Sequence, residues 1–409
     1  MPTTASSAHS RSTSGPNLAS PCRSPSAAKT LARLDARALQ NAGAAGLAWF
    51  LVLTTAVTGY WVMQPVLRSP LASDLTLNYI AARIGIEHGW NHLYSLTLQR
   101  QLFEQVRPGV VFNDGQWFIS PPPLAWLALP LSVLGPAGAF YLWFALSVVA
   151  LVAAWWLAAP GSGWKRALWL LAALAWYPVL YGLSLGQPVL FVLLAVAGCW
   201  KLAEAGKPYL AGVVLAASTL KPQLALVLPV VLLLAGRWRI VAGFAVPAAI
   251  LTGLSLLMLG GDELGEYRGL LALEAQDVNN RFFTIAVLLG PGWQTSLAQG
   301  VVIVAGLVAA YLNRHASLGR LIALGLVTSV LSASYSHLQD FTILLVAAWL
   351  FWRDKPPAWQ RWGLLVIALA LEVAWPLTPA PALVAIAVWW VMLCLPATVR
   401  TPRPLAAPA

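Results

Sequence analysis

Residues 44–63 read AAGLAWFLVLTTAVTGYWVM, twenty positions without one charged side chain. A helix of about 20 residues rises about 30 Å, the thickness of a bilayer's hydrocarbon core. Arg33 and Arg37 precede the stretch and no A-x-A cleavage site follows it. It is therefore expected as a retained transmembrane helix rather than a signal peptide. Outward from it, further apolar runs occur near 136–159, 167–183, 188–203, 208–219, 222–235, 240–259, 293–312, 318–334, 339–352, 362–377 and 381–397. Runs 208–219 and 222–235 are short for a full crossing and suggest a partly inserted hairpin around Lys221. Another apolar stretch, 123–134, follows Pro121-Pro122-Pro123 and is expected to lie against or dip into the outer face.

Composition agrees with lipid as the main solvent. Residues of the AVILMFWYC set fill 59% of the 409 positions and charged residues 10%. A soluble domain carries about 25% charged residues, so water cannot meet this surface on all sides. The fold expected is an all-α polytopic membrane protein with about 10–12 transmembrane helices and a helical first outer loop. Residues 1–40, rich in Ser, Thr, Ala and Pro, read as a disordered cytoplasmic tail. Residues 41–397 read as a single membrane domain with outer loops at 65–122 and 261–281, and 398–409 as a second cytoplasmic tail.

Charge sets the orientation. With the N-terminus inside and the runs alternating, inner segments hold 18 of the 25 Lys and Arg residues. The positive-inside rule then holds at every short loop and puts both termini in the cytoplasm. The net charge of +11 is spread between apolar runs, which argues against a nucleic-acid patch. Ten of the 14 acids fall outside, mostly in the two long loops, where chemistry is expected. Cys22, Cys199 and Cys394 are too few and too scattered for a disulfide framework or a zinc site.

The first outer loop opens with Ser73-Asp74-Leu75-Thr76-Leu77-Asn78-Tyr79. Positions 75–88 predict a short helix at the interface, with Asp74 and Asn78 on one face. Asp74 is either a helix cap or a general base taking a proton from an acceptor hydroxyl. Lys221, between two short apolar runs, is either a snorkelling lysine or a phosphate contact. Ser334-Tyr335-Ser336-His337-Leu338-Gln339-Asp340 is unusually polar, and His337 and Asp340 can meet on one helical face to orient a phosphate or sugar hydroxyls. Gly115-Gln116 and Gly186-Gln187 are small polar turns whose amides can bond sugars. Arg281 is an interfacial arginine or a phosphate contact. His88 and His92 have metal-ligand spacing, but Gly89 interrupts the helix and no third ligand is evident, so no metal site is expected. Glu372 is an intramembrane acid without an assigned role.

In this order, these pieces resemble the polyprenol-phosphate-sugar-dependent glycosyltransferases of family 87. The resembling residues are Asp74 with Tyr79, Ala81-Ala82 and Gly89; Pro121-Pro122; Gly186-Gln187; Lys221; and the polar stretch ending at Asp340. The sequence departs from the family at Leu75, where an aromatic is common, and at Pro188. The resemblance implies a membrane fold of the C-type glycosyltransferases (GT-C) and transfer of a hexose, often mannose, from a polyprenyl phosphate. The acceptor would be a lipid or glycan on the non-cytoplasmic face of a bacterial inner membrane. It makes Asp74 the base and Lys221 a phosphate contact. Gln187, Tyr79, Asn78, Arg281, His337 and Asp340 stand beside them as candidate substrate contacts, and no cofactor is expected. Two other classes compete: a transporter or flippase for a lipid-linked sugar, and an inactive scaffold subunit of an envelope-assembly complex.

Overall fold

The computed structural model describes residues 25–113, 116–374 and 377–396. The described residues up to Phe50 form one compact unit and those from Leu51 onward a second. Helix α1 runs from Pro25 to Arg68. The tail expected over 1–40 is thus helical from Pro25, while its first 24 residues and the tail 398–409 lie outside the described residues.

The loop expected on the outer side is helical, with α2 at Leu75–Glu87 and α3 at Leu96–Val106. It does not lie on the surface. Nine residues of α2 are buried, among them Leu75, Tyr79, Ile80 and Ile84. The stretch after Pro121 forms α4, Pro122–Ala128, and a 3-10 segment to Leu134, then continues into α5, Gly135–Ala158.

Helices α6, Gly163–Ala175, and α7, Tyr177–Leu185, meet at a bend of 60°. Pro178 in the first turn of α7 fits that start, where its missing N–H costs nothing. The Glu372 carboxylate accepts a 2.7 Å bond from the Tyr177 backbone N–H, capping the restarted helix. Helix α8 follows at Val189–Glu204, α9 at Pro208–Leu215 and α10 at Leu228–Leu234. Helix α11, Trp238–Glu274, is kinked at Gly260, whose φ of 73° only glycine adopts freely. It takes in the first fourteen residues of the outer loop expected at 261–281, so that loop is shorter than expected.

Helices α12, Ala286–Leu289, and α13, Trp293–Leu312, precede α14, Leu318–Ser332. Nearly every residue of α14 is buried, which marks it as the central helix. Helices α15, Leu344–Arg353, α16, Ala358–Glu372, and α17, Ala380–Cys394, complete the chain. Large apolar side chains remain exposed along α11 and α13, Leu257 and Val304 among them, as lipid-facing helices require. Helices α9 and α11 cross at close range. A Cβ on Gly212 would stand 2.0 Å from the Ile240 carbonyl oxygen, so only glycine permits this crossing.

Among the described residues, four helical stretches are long and apolar enough to cross a bilayer: Ala45–Arg68, Pro122–Ala158, Trp238–Glu274 and Trp293–Leu312. The bent pair α6–α7 makes a fifth. Shorter apolar helical stretches lie at Pro208–Leu220, Leu318–Ser332 and Ala380–Cys394. Runs 208–219 and 222–235 fold as α9 and α10, separated by 3-10 segments on either side of Lys221. The protein is an all-α polytopic membrane protein. Arg353 donates to the carbonyls of Ala158 and Ala159 at 2.8 and 2.9 Å, closing the end of α5. Arg320 does the same for the end of α17 through Met392 and Leu395.

Candidate functional site

Three backbone breaks place polar side chains at the base of one cavity. Helix α7 ends in a Schellman turn: Gly186 is left-handed at φ 67°, and the Gln187 N–H bonds the Gly182 carbonyl at 3.0 Å. A Cβ on Gly186 would lie 2.8 Å from the Leu75 Cβ, so glycine also lets this turn sit against the start of α2. That contact brings Gln187 to Asp74, 113 residues away in sequence. Lys221 stands in the extended break between two 3-10 segments. Asp340 lies in the 3-10 turn that leads into α15, and its Oδ2 accepts from the His337 backbone N–H at 3.1 Å.

The side chains form one hydrogen-bonded chain. Gln187 Nε2 donates to Asp74 Oδ2 at 2.5 Å, and Gln187 Oε1 accepts from Lys221 Nζ at 2.8 Å. Lys221 Nζ also forms a buried ion pair with Asp340 Oδ1. Asp74 holds the N-cap position of α2, yet its side chain makes no capping bond. Its carboxylate accepts from Gln187 instead, and Asp74 lines the cavity. Burial raises the Asp74 pKa above the ordinary aspartate value, and the Gln187 hydrogen bond and the Lys221 charge oppose that rise. Burial also lowers the His337 pKa, with the Asp340 carboxylate working the other way.

The cavity encloses about 600 Å³, and Asp74, Asn78, Gln187, Lys221 and His337 line it. Asp340 lies just behind, held to Lys221. Two expected contacts lie elsewhere. Tyr79 is buried in an apolar cluster, its hydroxyl 3.4 Å from the Ser132 carbonyl oxygen. Arg281 does not line the cavity; its guanidinium donates to the Ala275 carbonyl. In both cases local packing claims the side chain. Gln116 lines the cavity, while its neighbour Gly115 lies outside the described residues.

Sequence reasoning missed several lining residues. Trp117, Tyr181, Glu274, Asp277, Asn280 and Tyr335 face the same space. Gln223 donates to the Tyr335 hydroxyl at 2.5 Å, and burial raises the Tyr335 pKa. The wall around Trp117 is held from behind. Buried Gln99 accepts from the Phe118 N–H at 2.7 Å, and the Tyr94 hydroxyl donates to the Ser120 carbonyl at 2.9 Å. Tyr94 is itself fixed by a backbone bond to the Glu263 carboxylate and by stacking on Tyr267 at 4.3 Å. The clue available in the sequence was the polar series Glu274, Asp277, Asn279, Asn280 in an otherwise apolar chain.

A family model described as glycosyltransferase family 87 matches residues 118–334. The match takes in Gln187 and Lys221 and stops short of Asp74 and Asp340. No curated protein and no solved structure matches the chain.

Proposed function

The chain belongs to glycosyltransferase family 87 and is a membrane glycosyltransferase, and from that premise we propose that it moves a hexose from a polyprenyl-phosphate donor to a lipid or glycan acceptor. The observation that carries the reading is the chain Asp74–Gln187–Lys221–Asp340 at the base of the cavity. It puts a carboxylate and an ammonium on one wall, one amide apart. Family resemblance supplies mannose as the first sugar to test. The charge distribution of the loops supports a cavity open to the non-cytoplasmic side of a bacterial cell membrane.

In this mechanism Asp74 Oδ1 takes the proton of an acceptor hydroxyl as its oxygen attacks the anomeric carbon of the donor. The bond from that carbon to the phosphate oxygen breaks, and its electron pair leaves with the phosphate. Lys221, shifting from Asp340 toward the phosphate, stabilises the growing negative charge. Attack opposite the leaving group inverts the anomeric centre. Gln187 orients both partners, and Asn78 and His337 are placed to bond sugar hydroxyls. Burial of Asp74 suits the base role, because a raised pKa strengthens the carboxylate as a proton acceptor.

The test is transfer of radiolabelled hexose from polyprenyl-phosphate hexose in proteoliposomes, comparing wild type with Asp74→Asn. Asparagine can still accept from Gln187 but cannot take a proton. Wild-type transfer that falls by about 10²–10⁴-fold in a folded Asp74→Asn protein supports the base role. Equal transfer in both proteins removes Asp74 from the mechanism, and no wild-type transfer with several donors and acceptors removes the proposal.

A further inference from the structure

The cavity that holds the base has a second polar wall which the donor chemistry leaves unused. Gln116 and Trp117 contribute from the segment before α4, and Glu274, Asp277 and Asn279 from the end of α11 and the turn after it. The two carboxylates are fixed in place. Glu274 accepts from the Asn280 side-chain amide, Asp277 Oδ1 accepts from the Asn279 N–H at 2.8 Å, and the Ser336 N–H bonds the Asn280 carbonyl at 3.0 Å. That last bond ties the wall to the stretch carrying His337 and Asp340. One helical turn from Asp74, Asn78 is only 6% exposed and lines the cavity. Among the described residues no hydrogen bond engages its side-chain amide, which lines the cavity and can serve a ligand there.

Carboxylates, amides and an indole face are the groups that bind the hydroxyls and the C–H face of a sugar ring. Charge narrows the ligand further. Lys221 is the only Lys or Arg among the described lining residues, and Asp340 already opposes it. Asp74, Glu274 and Asp277 all present carboxyl groups to the same space. We infer that this wall, with Asn78, is the acceptor subsite and that it takes an uncharged sugar ring, rejecting an anionic one. The inference rests on the glycosyl-transfer reading and assigns the class of its acceptor.

The full-length protein in lipid nanodiscs is titrated, without donor, with a methyl hexopyranoside and with the methyl hexopyranosiduronate that differs only in its C6 carboxylate. Binding is read by saturation-transfer NMR. The neutral glycoside is expected to bind at least about tenfold more tightly, since like charges brought together in a cleft are strongly disfavoured. In Glu274→Gln/Asp277→Asn both side chains keep their accepting oxygens and lose their charge, so the gap narrows to what Asp74 alone imposes while the donor KM is unchanged. Equal binding of the two probes, tighter binding of the uronide, or a gap left unchanged by the double substitution overturns the subsite. Discrimination without any transfer from a donor would sink the transferase reading and leave the subsite standing. Transfer without discrimination does the reverse.

Discussion

Replacing Lys221 by methionine separates two roles of one side chain. Lys221 is 8% exposed and Asp340 2%, so their ion pair is buried against packed helices. Removing one partner of such a pair strands the other charge and costs about 3–5 kcal/mol. Methionine keeps most of the aliphatic stem, so the loss is electrostatic rather than a cavity. Adding Asp340→Asn removes the stranded charge, while the asparagine oxygen still accepts from the His337 N–H. Lys221→Met should therefore be destabilised by about 3–5 kcal/mol, and the double variant should recover at least about half of that. Unfolding in mixed micelles, followed by tryptophan fluorescence, measures both. Transfer should stay lost in the double variant, because no cation remains to meet the phosphate. A Lys221→Met protein as stable as wild type would refute the buried-pair reasoning. Transfer that returns together with stability would refute the phosphate role.

Three further outcomes follow from the geometry. Because Asp74 must be ionised to act as base, kcat/KM should fall as pH drops, with a midpoint above the ordinary aspartate range because burial raises its pKa; Gln187→Leu, which removes a donor to the ionised form, should move that midpoint higher still in a pH–rate profile. Gly186→Ala should cost about 1–2 kcal/mol for the left-handed backbone and push the turn away from Leu75, so that transfer falls further than the unfolding midpoint does. Glu372→Gln, which still accepts from the Tyr177 N–H, should unfold and transfer like wild type, whereas Glu372→Ala should lose about 1–3 kcal/mol of stability in the same unfolding assay.

The class of the fold was legible because lipid imposes a composition that no soluble chain of this length shows. The breaks within the helices were not, since a run of apolar letters does not reveal where Lys221 and its flanking 3-10 turns interrupt a helix. At the site, Asp74, Gln187, Lys221 and Asp340 were each visible as polar residues out of place in apolar surroundings. Their partnership was not, because the bonds span 34 to 119 residues and depend on how α7 meets α2. Tyr79 and Arg281 had the right types at the right offsets, yet one went to the core and the other to a local carbonyl. Trp117 was hidden among 21 tryptophans that read as interfacial anchors. Glu274 was hidden because the loop that seemed to contain it is the end of α11.

The alternatives to an enzyme make a different demand on the same residues. A carrier for a charged lipid-linked sugar needs ionisable groups along its path, most of all near the middle of the membrane. Glu372 was the one clear acid in a mid-span position, and its carboxylate is engaged. It accepts the first backbone N–H of α7, at a bend that leaves donors without helical partners. The acid is accounted for by the break in the α6–α7 span. The other charged groups in question gather at one cavity: Asp74 at the start of α2, Lys221 in the break between α9 and α10, and Glu274 and Asp277 at the end of α11 line it, with Asp340 held to Lys221 behind it. A scaffold that had lost its chemistry would retain Asp74 for its place at the head of α2. That place does not use the side chain, since the carboxylate caps nothing and bonds the amide that also holds Lys221. A helix start needs no such partner across 113 residues, whereas a base that must face a departing phosphate does.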